Sequence, residues 1–100
     1  MSEKKDQKQM KLAKFLKASR VNADLSQMEV ANHLGYSTAQ FISNWERGVS
    51  APPIETIATL AHLYKVSAEE LFDILQKVTL DQVANNLRER FLATKKVSNK

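Results

Sequence analysis

The stretch from Leu25 to Val49 reads LSQMEVANHLGYSTAQFISNWERGV, and its punctuation decides the fold. Ser26 is followed three residues later by Glu29, a capping box in which hydroxyl and carboxylate each satisfy an orphan amide at a helix start. Val30, Ala31 and Leu34 then fall on one side of a helix of about two turns, and Gly35 follows as its left-handed end. Tyr36, Ser37 and Thr38 make a turn. From Ala39 to Arg47 the spacing predicts a second short helix with Phe41, Ile42 and Trp45 toward the core. Either Ser37, with Gln40 as its box partner, or Thr38 can serve as the N-cap. Gly48 closes this helix.

Working outward, Leu12, Phe15, Leu16 and then Ser19 or Arg20 recur at three- and four-residue spacing, which predicts a helix from Met10 to Val21. Residues 1–9 are polar and without period, and are expected to form a flexible arm. On the other side, Pro52 and Pro53 stiffen the loop from Ser50. Ile57, Leu60, Ala61 and Tyr64 mark a fourth helix ending near Lys65. Ser67 with Glu70 caps a fifth, carrying Leu71, Phe72, Ile74 and Leu75. Thr79 with Gln82 is expected to cap a sixth running to about Ala93, striped by Leu80, Val83, Ala84, Leu87 and Phe91. The basic end from Thr94 to Lys100 reads as loose. The fold class is all-α: five helices in a compact unit over 10–78, with an additional amphipathic helix and basic tail over 79–100 as a candidate dimerisation element.

One hundred residues with 43% hydrophobic and 26% charged side chains suit one domain with a core of its own. Cysteine is absent, which excludes disulfides, thiolate zinc sites and a cysteine nucleophile. Two glycines and two prolines leave no room for a P-loop or a dinucleotide-binding turn. His33 and His62 lack companions at ligand spacing, so neither metal nor cofactor is expected. No strained nucleophile turn appears, no catalytic residue is assigned, and no small-molecule substrate is evident. The apolar runs are too short to span a bilayer and the start is polar, so a cytoplasmic protein without a membrane partner is the expectation.

Charge is unevenly spread. Residues 1–50 carry eight Lys or Arg and five Asp or Glu, residues 51–76 one and four, and residues 77–100 six and two. Lys8, Lys11, Lys14, Lys17 and Arg20 recur every third residue with no acid among them, a winding basic stripe suited to a polyanion.

Two short helices joined by a Gly-led turn, the second ending in Trp-Glu-Arg-Gly, form an arrangement in which one helix braces another that enters the DNA major groove. From Leu25 to Phe72, with Leu12 to Arg20 before it, the sequence resembles the Cro and lambda-repressor type of helix-turn-helix proteins, the Xre family. The Ser-Gln opening, Gly35, Trp45-Glu46-Arg47-Gly48, the prolines after the loop and Val66-Ser67 fall in the family's order.

This resemblance implies a sequence-specific regulator, a repressor by expectation, that binds double-stranded DNA with its third helix in the major groove. Gln27 matches the glutamine that bonds a DNA phosphate, and Ser37, Thr38, Arg47 and Ser50 are further phosphate candidates. Ala39, Gln40, Ser43 and Asn44 lie opposite Ile42 and Trp45 as base readers. Gln40 and Asn44 each carry an amide able to pair with adenine N6 and N7. Glu46 corresponds to a buried glutamate paired with an arginine at the end of the first helix, here Arg20.

Three departures stand out. The turn between Gly35 and Trp45 is one residue longer than usual. The loop from Val49 to Pro52 lacks a Lys or Arg. Asp24 stands where glycine is common, which points to Asn22 as the left-handed residue.

A homodimer on an inverted-repeat operator follows from the same resemblance. Leu71, Phe72 and Leu75 lie near the family's dimer surface. Beyond them the sixth helix either covers its own core or, the reading preferred, helps build the dimer with Arg88, Arg90, Lys95 and Lys96 facing out. The rival is an antitoxin or adaptor that grips a protein partner and touches DNA weakly or not at all.

Overall fold

The computed structural model describes residues 3–98, with side chains described over 7–95. Helix α1 spans Glu3–Asn22, α2 Gln27–Leu34, α3 Gln40–Glu46, α4 Ile57–Tyr64 and α5 Ala68–Ser98, with a single 3-10 turn at Ile54–Thr56 ahead of α4. Among the described residues there is no strand.

Local chemistry sets most boundaries. The Ser26 hydroxyl accepts the Glu29 N–H at 3.0 Å while the Ser26 N–H donates to the Glu29 carboxylate at 2.7 Å, a complete capping box for α2. Before α5 the Ser67 hydroxyl accepts the Glu70 N–H at 3.1 Å. For α3 the N-cap position is Ala39, which makes no side-chain cap bond; the Thr38 hydroxyl, one residue earlier, accepts the Gln40 N–H at 3.3 Å.

The first four helices end alike. A left-handed residue stands at Asp24, Gly35, Gly48 and Lys65. In each case the next N–H reaches back five residues: Leu25 to Arg20 O, Tyr36 to Ala31 O, Val49 to Asn44 O and Val66 to Ala61 O, at 2.9 to 3.2 Å. This is the Schellman arrangement, which satisfies carbonyls the helix leaves open. Asp24, not Asn22, takes the left-handed turn after α1, because α1 keeps Asn22 helical.

Leu12, Leu16, Val30, Ala31, Ile42, Trp45, Ile57, Leu60, Ala61, Tyr64, Leu71, Leu75 and Val78 form one buried cluster drawing on all five helices. Leu12, Leu16 and Leu60 are fully enclosed, and cutting any of them to alanine costs roughly 2–5 kcal/mol.

Four expectations change. First, α1 begins at Glu3, not at Met10, so the segment read as an arm is helical where it is described. Its inner turns dock on α5: Lys8 Nζ lies 3.4 Å from Asp81 Oδ1, and the Gln82 amide donates to Gln9 Oε1. Second, no break occurs at Thr79, and the expected sixth helix is the continuation of α5, which runs on through the tail to Ser98. A capping box permits a helix start but cannot force one, and Gln76 to Gln82 contain no Gly or Pro to stop the one already running. Third, Leu71 and Leu75 are sealed in the chain's own core, leaving Phe72 alone of that trio exposed. Fourth, Phe41 is 52% exposed, not core.

Candidate nucleic-acid interface

Helix α3 is held by an ion pair at its far end. Arg20 Nε lies 2.6 Å from Glu46 Oε2 and Arg20 Nη2 lies 3.0 Å from Oε1, while Arg20 Nη1 donates to the Leu25 carbonyl at 2.8 Å. Two parallel bonds from one guanidinium fix orientation as well as distance. The Glu46 side chain is almost fully buried, and its hydrogen bond holds the Arg20 pKa above its ordinary value. Gln27 Nε2 adds a third donor at 3.0 Å on Glu46 Oε1. One carboxylate therefore gathers the end of α1, the first residue of α2 and the last of α3.

Gln27 is thus committed on one side. Its amide carries two hydrogens, and the Glu46 bond uses one, so the second remains to be donated elsewhere. An amide steadied in this way is a positioned donor.

Ile42 and Trp45 face inward, and the opposite side of α3 carries a ladder of polar side chains. Gln40 Nε2 donates to Asn44 Oδ1 at 3.0 Å, Arg47 Nη2 donates to the same oxygen at 2.6 Å, and Arg47 Nε donates to Ser43 Oγ at 3.2 Å. Gln40 and Arg47 are exposed, and Ser43 and Asn44 half-buried. The fold brings Gln40, Ser43, Asn44 and Arg47 together; half-buried Ala39 adjoins them, whereas exposed Ser37, Thr38 and Ser50 take no part in the ladder. Solvent-facing hydrogen bonds of this kind are worth only about 0.5–1.5 kcal/mol each, so they exchange readily for bonds to another polar surface.

Phe41 is the residue that periodicity misplaced. Its ring packs on Tyr36 with centroids 4.9 Å apart and planes tilted by 43°. Tyr36 in turn meets Trp45 edge-on at 6.1 Å. Tyr36, in the turn before α3, takes the place beside Trp45 and leaves Phe41 at the rim. Spacing along α3 carries no signal of this, because Tyr36 lies outside the helix.

Residues 11–72 match the helix-turn-helix domain family. The cryptic phage CTXphi transcriptional repressor RstR of Vibrio cholerae is 40% identical over 52 residues, covering 52% of this chain and 46% of that protein. The chain thus matches a little under half the length of this curated relative. No solved structure matches significantly. With the family spanning more than half its length, from α1 into α5, the chain belongs to the helix-turn-helix proteins of the Cro and lambda-repressor type.

Proposed function

We propose that the protein is a sequence-specific double-stranded DNA-binding transcriptional regulator, a repressor acting in the cytoplasm on an inverted-repeat operator, and a binding protein rather than an enzyme. The observation that carries this reading is the polar ladder of α3, Gln40 to Arg47, set on the outside of a helix whose position the Arg20–Glu46–Gln27 group fixes. Ala39, Gln40, Ser43 and Asn44 read base edges, while Gln27, Ser37, Thr38, Arg47 and Ser50 meet phosphate. The repressor relative, matched over half of this chain, supports the regulatory outcome.

A homodimer completes the reading, because one helix-turn-helix reads few base pairs and two half-sites one helical turn apart need two-fold symmetry. Leu80, Val83, Leu87 and Phe91 are each more than half exposed, whereas Val78 on the same helix is 2% exposed. Nine residues separate Val78 from Leu87, which is half a revolution beyond two full turns, so the open stripe lies opposite the face that α5 packs on its own domain. It is therefore offered outward to a second copy. Exposed Arg88, Arg90 and Lys95 flank it; the Lys96 side chain lies outside those described.

In vitro selection of bound duplexes, followed by sequencing, tests both parts. The expected result is a two-fold repeat with half-sites about 10 to 10.5 bp apart. Equal binding of selected and random duplexes at moderate salt would overturn the reading in favour of a protein-binding module.

A further inference from the structure

We infer that Phe41 is a specificity-determining residue of α3 that reads the 5-methyl group of one thymine per half-site; the inference rests on α3 being the helix that enters the groove.

Phe41 stands in the first turn of α3, directly after Gln40, and more than half of it is open. An open phenyl ring at the rim of a polar face has no hydrogen bond to offer. The domain core does not need it, since Ile42 and Trp45 fill the inner face at 0% and 3% exposure. The ring is nevertheless held. Trp45 in the core, Tyr36 in the turn and Phe41 at the surface form an aromatic series leading outward, with ring contacts at 6.1 and 4.9 Å. A ring braced from behind loses little rotamer freedom on binding, which is what makes aromatic anchors effective.

The chemistry of the major groove then selects the ligand group. Along that groove every base-pair edge presents hydrogen-bond donors and acceptors, and thymine alone adds an exposed methyl. An apolar ring beside two amides suits that pattern: Gln40 and Asn44 take the polar edges, and Phe41 takes the methyl. Arg47 and the Ser43 hydroxyl cannot supply this apolar contact. Burying one methyl is worth a change of about fourfold in affinity.

The test uses the full chain and duplexes that wild-type protein selects from a random library. Each thymidine of one half-site is replaced singly by deoxyuridine, which keeps the base pair and removes only the methyl. Wild type is expected to lose about fourfold at one position. Phe41→Ala is expected to bind the unmodified site about that much more weakly, and to be indifferent to deoxyuridine at that position. Phe41→Gln, a good helix former, should give the same indifference, and its thermal unfolding reports whether the domain stays folded. If both variants keep the wild-type response at every thymidine, or wild type responds at none, the inference is overturned while the DNA-binding reading stands. If wild type selects no duplex, that reading fails and the inference with it.

Discussion

Gln27 donates its side-chain amide to Glu46 at 3.0 Å, joining the first residue of α2 to the last residue of α3. The same carboxylate oxygen receives Arg20 Nη2. The angle between bracing helix and polar helix is thereby set by one nearly buried charge, and the consequences can be measured.

Removing that charge strands its partners. Glu46→Ala leaves the guanidinium of Arg20 short of its counter-ion in a site where the carboxylate was only 3% exposed, and the expected loss of stability is about 3–5 kcal/mol in urea unfolding. Gln27→Ala removes a neutral donor and is expected to cost about 1 kcal/mol. A Glu46→Ala protein that melts like wild type would show that the carboxylate contributes nothing.

On DNA the two glutamines are expected to separate. Gln40→Ala should weaken the selected duplex by about 1–3 kcal/mol and relax preference at one base pair, whereas Gln27→Ala should weaken selected and random duplexes alike. Quantitative binding to both duplexes checks this; equal losses for Gln40→Ala would assign it to the backbone.

Assembly should depend on the outer face of α5. Leu87→Glu and Phe91→Glu place charge in the exposed stripe without touching the core, since these residues are 59% and 64% exposed. Sedimentation at micromolar concentration is expected to show dimer for wild type and monomer for the variants, with the variants still unfolding cooperatively at a midpoint that no longer depends on concentration. Truncating at Lys77 is a poorer test because it deletes buried Val78. Dimeric variants would place the interface elsewhere.

The capping box of α2 gives stability a pH dependence. The Ser26 backbone N–H, and then its hydroxyl, hold the Glu29 pKa below its ordinary value. A depressed carboxylate contributes stability that is fully present above its unfolded pKa and is lost as pH falls through the folded one. Stability measured from neutral pH downward should therefore decline in the acid range, and Glu29→Gln should flatten that decline. An identical acid limb in the variant would overturn this role.

The order of helices, the Ser26–Glu29 box, the left-handed end at Gly35 and the stop at Gly48 were legible in the sequence itself. Each is settled within five residues of chain, where a hydroxyl, a carboxylate or a missing Cβ acts on its neighbours. Trp45, Ile42 and Leu60 were legible as core for a related reason, since helical spacing alone puts them on one side.

The remainder depended on what packs against what. Spacing places Phe41 at an angle on its helix, but only the turn carrying Tyr36 decided that this angle is the rim. Asp24 and Lys65 adopt left-handed backbone at a cost of about 1–2 kcal/mol each; the residue-type rule allows Asp as well as Asn and gives no reason for Lys, so the chain reversals between packed helices decide both. The docking of the early turns of α1 on α5 has the same origin: Asp81 and Gln82 meet Lys8 and Gln9, more than seventy residues earlier. Gln27 and Glu46 lie nineteen residues apart, and no local rule joins them. Contacts within a turn are encoded where they occur; contacts across the fold exist only once every helix has found its place.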